Sequence, residues 1–315
     1  MNITALTSTG QQTRAIGRPR PLLSVMAWEL RRFCASRLFW LQALGFFGFL
    51  LFLTWAQQMP EQFGTAHGNV AINGFVAGTS AWGLLHTLPL SLVLLVLLLP
   101  FVTADSVTRD LNRRTHELLM TTALPSWAYV WGRYLIGLLM SLGLAVLLLA
   151  AILGMGLMLH LTIPAYPLPP TGVVLLLWVG MVLPATVLVS SLSFALGTLL
   201  PRLTNVVKIV IMLGWIVGAV ILPTGLRNTT PPAWYINWDP TSAVTALGML
   251  PQYSISNLFQ TATSEAQFQN AFLAIENKIP DIGGWFASHL LLAGFSLVLV
   301  LLTARAFKRS RDVLN

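Results

Sequence analysis

Apolar residues dominate long, uninterrupted stretches of the chain, and polar residues cluster between them. A helix crossing the hydrocarbon core needs about 20 mostly apolar residues. Six stretches meet that requirement: 38–55, 82–104, 134–160, 173–200, 209–223 and 285–304. The fifth is short, but an amphipathic lead-in precedes it. The pattern predicts an all-α polytopic membrane protein with six transmembrane helices. The first apolar stretch starts too far into the chain, and is too long, for a cleaved leader. Residues 1–21 carry no apolar period and read as a polar tail.

Between that tail and the first span, 22–37 reads as an amphipathic interfacial helix. Leu22, Val25, Met26, Glu29 and Phe33 recur at helical spacing, while Arg31, Arg32 and Arg37 project elsewhere. Residues 38–304 then form the six-span domain, and 305–315 form a basic tail. Within the domain, 224–284 leaves the membrane. Its Pro231, Pro232, Trp234, Tyr235, Trp238 and Pro240 suit an interface, and Phe268, Phe272, Ile275 and Ile279 recur at helical spacing. Short helices capping the outer mouth and dipping back into it are expected there.

Composition agrees with this reading. Of 315 residues, 56% are hydrophobic and 9% charged, whereas a soluble chain carries about 25% charged residues. The net charge of +8 raises the possibility of nucleic acid until the charges are located. All the basic residues except Arg227 and Lys278 lie on one side of the predicted spans. By the positive-inside tendency that side is cytoplasmic, with both termini inside, so the basicity reflects topology and a bilayer partner rather than nucleic acid.

The interiors of these spans hold no Asp, Glu, Lys or Arg, and their titratable groups are His86 and His289. Proton- or sodium-coupled transport usually needs charged groups at that depth, so it is disfavoured. Gly78-Thr79-Ser80-Ala81 loosely echoes a serine intramembrane protease motif. Ser80 precedes the second span, however, and fits an N-cap better than a nucleophile. The scattered histidines give no metal site, and Cys34 stands alone, which excludes a disulfide. No lysine follows a glycine, so a phosphate-binding loop of the Gly-x-x-x-x-Gly-Lys type is absent. Any ATP hydrolysis belongs to another chain.

The densest charge lies in the coupling segment 105–126: Asp105, Arg109, Asp110, Arg113, Arg114 and Glu117, with Val107, Leu111, Leu118 and Leu119 as an apolar set and Pro125 as the breaker. A short charged helix followed by a turn suits docking on a soluble partner. A solvated basic loop is the competing reading. The run from Arg114 through Ser126, followed by Trp131-Gly132-Arg133, resembles the coupling segment of ABC-2-type transporter permeases. That family typically shows Gly-Thr-x-Glu-x-Leu-Leu, a Pro-Ser or Pro-Ile turn, and Gly-Lys at the next span. Thr115, Glu117, Leu119, Pro125, Ser126 and Gly132 match, while Arg114 and Arg133 depart.

The resemblance implies a transport subunit of an ATP-driven (ABC) exporter rather than an enzyme. Such a chain pairs with a second permease subunit and rests on ABC ATPase subunits that hold the ATP and magnesium. It implies that Arg109, Asp110, Arg113, Arg114, Thr115, Glu117, Leu118, Leu119 and Pro125 form the coupling helix and its turn. Trp28, Glu29, Arg31 and Arg32 belong to the interfacial helix beside it. Gly214 and Gly218 in the fifth span form a small-xxx-small pair, placed by the resemblance near the path or subunit interface. Packing within the chain competes with that assignment. The alternatives are an ATP-independent transporter or channel, and, less well supported, a membrane-embedded enzyme.

Overall fold

A computed structural model describes residues 21–56, 61–64, 71–74, 78–105, 125–163, 166–226, 229–253, 264–281 and 283–313. Helix α1 (Pro21–Ala35) breaks at Ser36 before α2 (Arg37–Ala56). The break separates the expected interfacial helix from the first span with a turn. Ser36 ends one helix and starts the next, its Oγ accepting the Phe39 amide at 3.3 Å. A hairpin of β1 (Glu61–Gly64) and β2 (Ala71–Gly74) follows, pairing Glu61 with Gly74 and Gly64 with Ala71 in antiparallel register. Everything else assigned is helical: α3 (Ala81–Thr103), α4 (Ser126–Thr162), α5 (Thr171–Leu199), α6 (Pro201–Leu226), α7 (Ala233–Trp238), α8 (Ala243–Met249), α9 (Glu265–Glu276) and α10 (Gly283–Val313).

Six of these helices, α2 to α6 and α10 over Gly283–Phe307, are long and apolar enough to cross a membrane. The all-α, six-span reading therefore holds. Two helices begin well before their apolar stretches. Helix α4 starts at Ser126 and α6 at Pro201, which brings Arg133 and Lys208 inside spanning helices whose interiors the sequence reading left without charge. Their heads reach partners described below, and the helical backbone satisfies its own polar groups wherever the chain meets lipid.

Helix α3 is the centre of the bundle, with Leu84, Leu85, Leu88, Leu92, Leu95, Val96 and Leu99 almost fully buried. It packs on α4, α5 and α6; α2 lies against α4, and α10 against α5. Helices α2, α6 and α10 each bury 28% of their most apolar stretch, against 61% in α3. Their outer faces are left for lipid or another chain. Hydroxyls inside the spans donate to carbonyls four residues back, as in Thr103 to Leu99 and Thr186 to Val182. Between α4 and α5, Tyr134 and Ser191 share a 2.8 Å hydrogen bond, and Trp178 Nε1 donates to Ala145 O at 2.9 Å.

Two spans widen into one π-helical turn, Trp178–Val182 in α5 and Val217–Ile221 in α6. Pro184 follows the first one residue on, after Leu183. Its missing N–H disrupts the regular ladder, and the wide turn absorbs the mismatch. Helix α8 packs against the wide turn of α6.

Candidate functional site

The arginine-rich end of the bundle holds the start and finish of segment 105–126. At its finish, Pro125 caps α4 with extended backbone, φ −67° and ψ 136°, and its carbonyl accepts the amides of Ala128 and Tyr129. Proline suits this position because it pre-sets φ and the helix needs no donor there. Two turns on, Arg133 is fully buried. Its guanidinium lies over the Tyr129 ring at 4.6 Å and the Trp28 ring at 5.4 Å. The aromatic faces attract the planar cation where little water reaches it. One ring comes from its own helix and the other from α1, so the stack fastens α1 to α4.

Glycine makes that contact close. A Cβ on Gly132 would stand 2.7 Å from Val25 Cγ1, nearer than such atoms approach. Val25, Glu29 and Phe33 form the buried face of α1. Glu29 sits in an apolar stripe because its carboxylate is paired: Arg32 Nη2 approaches Oε1 at 2.6 Å, one turn along. The Arg32 guanidinium also covers the Phe33 ring at 5.0 Å. Arg31 projects outward, exposed. Trp28 is half exposed and gives its inner ring face to Arg133.

At the segment's start, Asp105 is tied to α6. Lys208 Nζ lies 2.6 Å from Asp105 Oδ1 and 2.7 Å from Oδ2, and 5.1 Å from the centre of the Phe101 ring. The adjoining end of α3 meets α5 at Gly197, where a Cβ would come within 2.5 Å of the Ala104 carbonyl oxygen. Arg109, Asp110, Arg113, Arg114, Thr115, Glu117, Leu118 and Leu119 lie outside the described residues. What is described is therefore the frame on either side of them.

Helices α7 and α8 lie towards the opposite end. They form a tight pair, with Gly248 against Ile236. At their corner Asp239, Thr241 and Ser242 are buried, while Pro240 between them is exposed. Asp239 caps α8 from within: Oδ1 accepts the Thr241 amide and hydroxyl at 3.0 and 2.7 Å, and Oδ2 accepts the Val244 amide at 2.7 Å. Anionic acceptors are favoured at a helix N-terminus. Ser242 takes the left-handed conformation, φ 61°, to turn the chain there. Pro240 meets Pro184, Ala185, Leu188, His289 and Leu292 in a crevice with no room for a water molecule. Pro184 and Ala185 stand at the midpoint of α5, so this corner dips to mid-depth of the bundle. Gly218 receives it on α6, where a Cβ would be 2.8 Å from Thr241 Cγ2.

His289 joins the same corner to α5 and α10. Its Nδ1 donates to Gly180 O at 3.0 Å, within the π turn, and Nε2 lies 3.4 Å from Thr245 Oγ1. Ser80 is elsewhere. Its Oγ caps α3 by accepting the Gly83 amide at 3.0 Å and donates to Glu276 Oε1 at 2.6 Å. Each is engaged with different partners, and the structure does not bring them together as nucleophile and base. The Ser80–Glu276 bond ties the end of α9 to the start of α3. Tyr166 packs beside it, and burial, with Glu276 adding to the effect against a hydrogen bond to Thr79, pushes its phenol up to about 12.

The glycine pair in α6 divides. Gly218 serves packing within the chain, whereas Gly214 has open space over it. His86 is exposed and sits edge-on to Trp82, at 5.0 Å between ring centres. Among the described residues no group of three metal-ligating side chains occurs.

Sequence reasoning assigned no role to the Arg133 slot, the Asp105–Lys208 pair or Gly197. Asp105 and Lys208 were visible as opposite charges at the same end of two spans, but nothing local pairs residues so far apart in the chain. Arg133 was visible only as a departure from a lysine.

Six apolar helices, with α3 buried at the centre of the other five, define a multi-pass membrane protein. The family model of the ABC-2 family transporter protein matches residues 68–305, and the chain belongs to that family. No curated protein matches the chain.

Proposed function

We propose that this chain is the permease subunit of an ATP-driven exporter, with the arginine-rich end facing the cytoplasm. The observation that carries this reading is the frame around segment 105–126. One edge is fastened to α6 through Asp105 and Lys208, and the other, where Pro125 starts α4, is fastened to α1 through Gly132 and Arg133. A charged segment held at both edges passes a push from a soluble motor into the spans instead of absorbing it. Arg109, Asp110, Arg113, Arg114, Thr115, Glu117, Leu118 and Leu119 supply the charged and apolar docking face. Trp28, Glu29, Arg31 and Arg32 brace it.

The motor is a separate ABC ATPase, which binds the ATP and magnesium; a second permease chain, the same or homologous, completes the path. Gly214 on the open face of α6 suits that second chain. Cargo passes between the two permeases and leaves under the α7–α8 corner. Spans with few charges, none of them at mid-depth, favour an amphiphilic, lipid-like or drug-like cargo over a small ion.

The test is purification of the tagged chain from its native membrane. An ABC ATPase should copurify with the parent chain and be lost with Arg109→Glu. Absence of any such ATPase from the parent preparation overturns the reading.

A further inference from the structure

We propose that the Asp105–Lys208 ion pair is the strut through which displacement of segment 105–126 reaches α6. The inference rests on the coupling reading above and adds the route inside the membrane domain. Asp105 is the point where α3 passes into the charged segment. Its carboxylate engages Lys208 through both oxygens, at 2.6 and 2.7 Å. The lysine side chain is 8% exposed, and the Phe101 ring flanks its head. The aspartate side chain is 33% exposed, so the attraction is partly screened on its side, and it is loss of the aspartate that leaves a poorly hydrated ammonium. The pair therefore moves as a unit or breaks at a cost.

The surroundings give the strut something to push on and something to move. The end of α3 is seated against α5 at Gly197, where even a methyl group would collide with the Ala104 carbonyl. That contact keeps the end of α3 from sliding independently. Helix α6 has the opposite character. Val206, Ile209, Val210 and Leu213 are exposed on its outer side, and it meets the bundle along α3 and α5. A helix held on one side can shift as a body with modest loss of packing. At its other end α6 receives the α7–α8 corner at Gly218, against Thr241. A push at Lys208 is thus delivered to the turn towards the opposite end.

The experiment uses the intact complex with its ATPase in proteoliposomes, in a Cys34→Ser background with Ile221→Cys as the reporter on the exposed upper part of α6. The probe is a membrane-impermeant maleimide, with labelling rates compared between nucleotide-free and ATP–vanadate-trapped complexes. The parent should show a difference of about fivefold or more, the scale of a coupling between sites. Asp105→Asn and Lys208→Gln should abolish that difference while the ATPase still copurifies and hydrolyses ATP. The exchange Asp105→Lys with Lys208→Asp should restore it.

Single variants that keep the parent's response overturn the strut, as does a parent complex that hydrolyses ATP with no change in labelling. If the single variants fail to assemble, the exchange variant decides. Assembly with the parent's response supports the strut, and assembly without it overturns the strut. A parent preparation with no ATPase overturns the coupling reading itself, an outcome distinct from the others.

Discussion

Gly132 shows how one missing side chain sets a helix contact. With Val25 only 2.7 Å from where a Cβ would stand, Gly132→Val overpacks the α1–α4 contact and displaces Trp28 from Arg133. The expected loss is about 1–3 kcal/mol, read as a fall in melting temperature of the detergent-solubilised chain. Two buried phenols give a pH signature. Tyr253 donates to Lys278 O at 2.8 Å, and burial pushes its phenol, like that of Tyr166, up to about 12 from an ordinary 10.0. The folded state holds each proton more tightly than the unfolded one. Their contribution is therefore fully present below pH 10 and is lost as pH rises towards 12. Melting temperatures should fall across that window, and Tyr166→Phe with Tyr253→Phe should flatten the fall.

Among the elements, the spans were legible because hydropathy over about 20 residues depends on nothing distant. Their ends were not. A hydropathy reading ends α4 and α6 at Arg133 and Lys208, because it cannot see that Tyr129 and Trp28 shield the first and that Asp105 pairs with the second. The α7–α8 corner was foreseen only as a cap dipping inward. Asp239-Pro240-Thr241-Ser242 reads as a surface turn, and only Asp239's three hydrogen bonds let it lie deep. Ser80 was readable as an N-cap; its partner Glu276 was not, being carried on a helix near the other end of the chain. Ser80→Ala should cost about 1 kcal/mol for the cap and a further 1–3 kcal/mol for removing a donor from a buried carboxylate. Glu276→Gln should cost less, because the amide oxygen can still accept from the serine. Thermal unfolding of the two variants side by side checks that order.

For the whole molecule, the exposed face of α6 separates the two glycines. Gly218→Val should destabilise the isolated chain by driving Thr241 out of its seat. Gly214→Leu should leave that stability unchanged and weaken pairing with a second permease, read as a shift towards monomer in native mass spectrometry. The central claim concerns the charged segment whose edges are held by Lys208 on one side and Arg133 on the other. It is tested most directly by the ATP hydrolysis rate of the purified complex with Glu117→Ala. If the segment couples motor to membrane, the variant loses about fivefold or more of the parent rate while the spans stay folded. A complex that hydrolyses ATP at the parent rate with Glu117→Ala contradicts the account.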